Sequence, residues 1–214
     1  MKNTFLDDFE IDLHEVRLHY NPREEVSRKL KSLHSNDSKE KYVELAIGVS
    51  DKVGNYSAYE HQLGPKILYN NSIDSVFNFS KLIAEEDLNV RALPRLIREA
   101  NLPFLKIGVG SEMACLLQPD KFWVGNVRTI YSHLIIKHEG DWEKADEELE
   151  LYRIDDANSE MHYRIWQDIY TSMKSSLDII YKISVNWAEE QDVKVGKNKY
   201  LWIDAFCNAL YECK

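Results

Sequence analysis

Two glycines and a serine follow a lysine in the stretch Leu105-Lys-Ile-Gly-Val-Gly-Ser-Glu-Met-Ala-Cys-Leu-Leu117. Glycine lets a second backbone or a ligand come close. Ser111 or Gly110 can cap a following helix, whose first N–H groups then point into the turn. Such a turn seats an anion, so the chemistry expected here is capture of a phosphate by Gly108, Gly110 and Ser111, with Lys106 and Arg128 adding charge. A dinucleotide fingerprint would need Gly or Ala three residues after the second glycine, where Met113 stands, and no βαβ repeats surround the stretch. No cofactor is therefore expected. A plain helix–turn–helix with packing glycines is the simplest rival, and a helix-hairpin-helix that grips nucleic-acid phosphate is favoured over it. The only acids close by are Glu112 and Asp120. Glu112, placed near the mouth of any pocket, would oppose an incoming phosphate and is the one candidate for relocated hydrolytic chemistry.

Other constellations are weaker. His14 and His19, like His133 and His138, are five apart, which sets two imidazoles about 140° apart on a helix and argues against a shared metal. No metal site is expected. Arg128 and His133 fit the Arg-x4–6-His pattern of all-α ribonucleases of the HEPN type, but so do Arg28 and His34. Cys115, Cys207 and Cys213 form no disulfide framework, as in a reducing compartment. With no apolar run near a membrane span and no signal-like N-terminus, a cytoplasmic location is expected.

The chain has 214 residues, 44% hydrophobic and 29% charged, as in ordinary globular proteins. Its net charge of −9 argues against a generally basic nucleic-acid binder. The charge is uneven, however. Leu88 to His138 holds seven Lys/Arg against three acids, and the remainder holds 20 against 33. A basic middle suits a local phosphate contact.

The elements that must position these residues read as helices. Asn21-Pro22 with Glu24 and Glu25 opens one; Gly54-Asn55 and Gly64-Pro65 read as breaks. Ser72 or Asp74 caps a helix with Val76, Phe77, Phe79, Leu82 and Ile83 inward, and Asn89 starts the next. Asn101-Leu-Pro opens the short helix before the glycines, and Pro119 closes the one after them. Phe122 to His138 reads as an amphipathic helix, Asp141 caps the acidic run from Trp142 to Arg153, and Ser159 to Glu190 forms one long helix or two. Ile165, Ile169, Met173, Leu177, Ile180 and Val185 of that stretch face the core. Tyr200 to Tyr211 is a last helix. No period-two alternation is sustained, so one all-α domain over 1–214 with roughly nine or ten helices is expected.

The glycine stretch resembles the helix-hairpin-helix of the endonuclease III-like DNA glycosylases (the HhH-GPD superfamily), with its pattern apolar-x-Gly-apolar-Gly-x-x-x-Ala. Residues 102–118 would be the hairpin and 119–138 the following glycosylase-like helix. There, adenine-mismatch members run Asp-Gly-Asn-Val-basic, and this chain has Val124-Gly-Asn-Val-Arg128. Pro119-Asp-Lys-Phe and Leu201-Trp-Ile-Asp-Ala also look like an uncharacterised branch. The resemblance implies a helical DNA-binding fold, duplex-backbone contact and a link to DNA repair. It also implies lost base-excision chemistry: the catalytic Asp position falls on Val124 or Asn126, the nucleophilic Lys position on Glu112, and three cysteines cannot ligate an iron–sulfur cluster. The rivals are an active hydrolase using Glu112 and a non-enzymatic protein-interaction scaffold, favoured by the acidic run Glu143 to Glu150.

Overall fold

A computed structural model describes Leu6 and residues 10–85, 87–152 and 160–214, with side chains omitted for 160–165. The expectations for residues 1–5 and 7–9, for Arg153 and Ser159, and for the Ile165 side chain lie outside the described residues. Among those described there are eleven α-helices and two 3-10 turns, and no strand. The helices are α1 (Leu13–Ser35), α2 (Lys39–Ala46), α3 (Tyr56–Glu60), α4 (Leu63–Asn70), α5 (Ile73–Ala84), α6 (Leu93–Ala100), α7 (Ile107–Leu117), α8 (Val127–Lys137), α9 (Trp142–Glu150), α10 (Glu160–Glu190) and α11 (Lys199–Glu212). The chain sorts into two compact units, one of residues 21–125 and one of residues 1–20 with 126–214.

In the 21–125 unit, α7 is the hub. Every residue from Val109 to Leu117 is buried, because the helix is apolar on all sides, and α3, α5 and α6 pack around it. Gly110 sets the approach of α6: a Cβ there would lie 2.8 Å from Ile97 Cδ1 and 3.3 Å from Leu105 Cδ2. Ser72 caps α5 by accepting the Ser75 N–H, as its local pattern implies. In the other unit, α8 packs on α9, α10 and α11. Trp202 donates its indole N–H to Ser184 and meets Tyr20 edge-on, and the Tyr20 ring lies where any side chain at Gly196 would have to go.

Several boundaries differ from expectation for physical reasons. The first helix does not open at Pro22 but runs through it. Its start is fixed at Leu13, whose N–H reaches Gln191 Oε1 at 2.9 Å, while Asp12 accepts the His14 N–H. Pro22 then removes one interior N–H, which leaves the exposed Leu18 region one ladder donor short. Gly64-Pro65 is the first turn of α4, a position proline tolerates. The helix expected over 122–138 begins only at Val127: Asn126 accepts the Thr129 N–H, and Thr129 Oγ1 accepts the Asn126 N–H in return. Leu82, expected inward, is exposed, as is Val127 at the start of α8, whereas Ile169, Met173, Leu177 and Ile180 are buried as their spacing implies.

Candidate functional site

The glycine stretch forms the α6–turn–α7 hairpin of the 21–125 unit. Asn101, in the left-handed region at φ 46°, ends α6; Leu102 and Leu105 are buried, and Lys106 stands in extended backbone just before α7. Gly110 N–H already donates to Lys106 O at 2.8 Å. The glycines therefore lie inside the first turn of the helix, not in the turn ahead of it. The donors preceding the helical ladder are the N–H groups of Ile107, Gly108 and Val109, and no side chain among the described residues caps them. Ile107 and Gly108 are partly exposed; Gly110 and Ser111 are buried.

Two of the three expected backbone contacts are thus displaced. Gly110 is a packing glycine. Ser111 neither caps the helix nor faces solvent: its hydroxyl donates to Gly108 O at 3.2 Å and accepts the Gly125 N–H at 2.8 Å. Gly108 differs from both, since a Cβ there would meet only Ser57 Cβ and Oγ, each at 3.7 Å.

Glu112 is not at a pocket mouth. It is 1% exposed, because its helix is buried all round. Its Oε1 takes the Arg23 guanidinium and the Tyr56 N–H (2.9 Å), and its Oε2 takes the Ser57 N–H (3.0 Å). Burial opposes its charge, but Arg23 and the Ser57 N–H together hold the carboxyl below its ordinary range. A carboxylate so engaged is a structural anchor for the start of α3, not a general base. Beside it, the buried Asn55 caps α3 through the Ala58 N–H (2.9 Å) and donates to Ala46 O (3.0 Å) and Val109 O (3.1 Å). Sequence reasoning missed both Arg23 and Asn55.

Val124 is a core residue and Asn126 a helix cap, so neither position aligned with the catalytic Asp carries a carboxylate. Arg128 belongs to the other unit, its guanidinium 5.9 Å from the Tyr211 ring centroid on α11. His133, five residues on, faces α10 instead: Nδ1 is 2.8 Å from Ser176 Oγ. The Arg-x4-His pair therefore addresses two different helices.

His133 lines a groove of about 540 Å³ with Ser172, Ser176, Glu148, Lys137, Tyr152 and Asp168. Glu148 is engaged there by Lys137 (2.6 Å), His138 (2.7 Å) and Tyr152 (3.2 Å). Burial, then the charge of Lys137, pushes the His133 imidazole down to about 4 from an ordinary 6.5. A base with a lowered folded-state pKa stabilises the fold fully above its unfolded value and loses that contribution as pH falls. Stability should therefore drop between pH 6.5 and about 4, by on the order of 3 kcal/mol. Urea titrations at pH 7 and pH 5 check this, and His133→Gln should flatten the difference; an unchanged difference in that variant would assign the slope to another group.

Cys115 and Cys207 are buried, and burial pushes the Cys207 thiol up to about 12, which leaves it unreactive. Among the described residues no three His, Cys, Asp or Glu side chains are grouped so as to hold a metal. No helix among them is long and apolar enough to cross a membrane. No protein family, curated protein or solved structure matches this chain.

Proposed function

We propose that this protein binds the phosphate backbone of DNA through the α6–α7 hairpin, weakly and without reading sequence, and that it does not excise bases. The observation that carries the reading is the contrast between its two glycines. A Cβ at Gly110 would meet Ile97 Cδ1 at 2.8 Å and force that side chain to shift, whereas Gly108 has ordinary room for a side chain and still lacks one. A glycine with no packing reason, at a helix start where Ile107 and Gly108 are partly exposed and next to Lys106, suits those N–H groups to an anion. Arg23 also offsets the charge of Glu112, and the other acid of the hairpin, Glu99, is paired with Arg95. For base excision the chain lacks a carboxylate at either aligned position, and the Glu112 carboxylate is committed elsewhere.

With one helix start and a few lysines and arginines, two to four phosphates are engaged, so log K against log salt should slope at roughly −2 to −4. Gly108→Ala should keep or raise thermal stability, since alanine is the better helix former by up to about 1 kcal/mol. It should weaken duplex binding by crowding the amides. Lys106→Gln should shorten the salt slope by about 0.9. Fluorescence anisotropy on one short duplex across a salt series reads all three proteins. Absence of binding at low salt, or binding indifferent to both substitutions, would remove the DNA reading and favour a protein-interaction scaffold.

A further inference from the structure

The turn of the hairpin carries a feature that phosphate binding does not use. Phe104 stands in the left-handed region at φ 64°, where a bulky L-residue is costly, and its side chain is 39% exposed. The leucines on either side hold it there, both buried, while Asn71 Nδ2 ties Pro103 O (3.0 Å) and Ile67 O (2.8 Å) together and so pins the turn to α4. Lys66 of α4 places its ammonium 5.8 Å from the Phe104 ring centroid. One turn along α4, Tyr69 is 90% exposed. Acids make up 36 of the 214 residues, yet none occurs in residues 61–73 or 100–111, the stretches that supply Lys66, Tyr69, Phe104 and Lys106.

We infer that this surface stacks unpaired bases, so that the protein prefers single-stranded DNA to duplex. The inference rests on the phosphate-binding reading and extends it. Exposed rings interleaved with lysines, on stretches whose own sequence carries no acid, are complementary to a flat aromatic base joined to an anion. A duplex hides its base faces within its own stack, so only unpaired nucleotides can offer them. On charge alone a duplex, with twice the phosphates per unit length, would bind more tightly. A preference for the single strand therefore reports stacking.

The test uses the full chain with a fluorescein-labelled oligothymidylate, the matched duplex, and an abasic strand of the same length. The variant is Phe104→Gly, which removes the ring and relieves the positive φ, and a thermal melt checks that it remains folded at the assay temperature. The parent should bind the single strand more tightly than the duplex. Phe104→Gly should lose about fivefold or more on the single strand and keep duplex affinity within about twofold. The abasic strand should bind both proteins alike. Duplex binding equal to or tighter than single-strand binding, or a single-strand affinity untouched by Phe104→Gly, overturns the stacking inference while leaving the phosphate reading in place. Equal affinity for a polyglutamate peptide overturns it as well. If no nucleic acid binds at all, the phosphate reading itself falls.

Discussion

Glu112→Lys is expected to unfold the 21–125 unit. The lysine would bury a second cation against Arg23 and against the N-terminus of α3, and it would leave the Tyr56 and Ser57 N–H groups without their acceptor. Removing one partner of a buried ion pair already costs about 3–5 kcal/mol. A domain of this size has only about 5–15 kcal/mol in total. Arg23→Met should be nearly as damaging, because it strands the carboxylate. The double variant Arg23→Met/Glu112→Met should be more stable than either single, since no lone charge is then buried, though two backbone donors remain unmet. Urea denaturation of the parent, Arg23→Met, Glu112→Met and the double variant gives the coupling. A Glu112→Lys protein that melts with the parent would show that the pair does not hold this unit. Acid should act on the same contact. The folded-state pKa lies below the ordinary 4.5, so the stabilisation is complete above that value and is lost as pH falls through the lower one.

Asn55→Asp, almost isosteric, should cost about 3 kcal/mol or more. The cap on the Ala58 N–H survives, but the two donated bonds to Ala46 O and Val109 O disappear, and a carboxylate oxygen is pressed against both carbonyls in the interior. Asn55→Ala loses the cap as well, about 1–2 kcal/mol of it. It should nevertheless be the milder change at pH 7, because it buries no charge. The aspartate should titrate above its unfolded pKa, so its penalty is full at neutral pH and shrinks as pH falls toward about 4. Thermal melts of both variants at pH 7 and pH 4.5 check the order and its narrowing. If aspartate proves the milder substitution at pH 7, the side-chain amide is not donating as described.

What the sequence makes legible is local. The all-α class follows from periodicity, and the caps at Ser72 and Asp141 are written within three residues of the helices they start, while Asn89 caps the 3-10 turn that leads into α6. Around the glycines only the following helix is legible: Asn101-Leu-Pro, expected to open a short helix before them, instead ends α6 and leads through a turn into α7. What it hides is contact across distance. Arg23 and Glu112 are 89 positions apart, and nothing distinguishes Arg23 from 26 other basic residues until α7 is seen to be buried all round. Gly54-Asn55 reads as a break because glycine and asparagine are common loop residues. Its second role, tying α2 to α7, exists only after folding. Pro22 misled because proline marks helix starts more often than interiors. Glu112 misleads in the same way: a charge near the start of a helix is usually solvated, and here it stands in the second turn of a helix buried all round.

The division of the chain also bears on how it is made. Residues 21–125 are contiguous and leave the ribosome as one block that can form its contacts at once. Leu13, Arg17 and Tyr20 precede that block, yet their partners Gln191, Lys194, Asn198 and Trp202 follow it, Gln191 lying 178 positions after Leu13. At ordinary elongation rates the N-terminal segment must wait on the order of 10 s or more for them. During that interval Tyr20 and its apolar neighbours are without their own core, so nascent chains stalled before Gln191 are the form of this protein most in need of a chaperone.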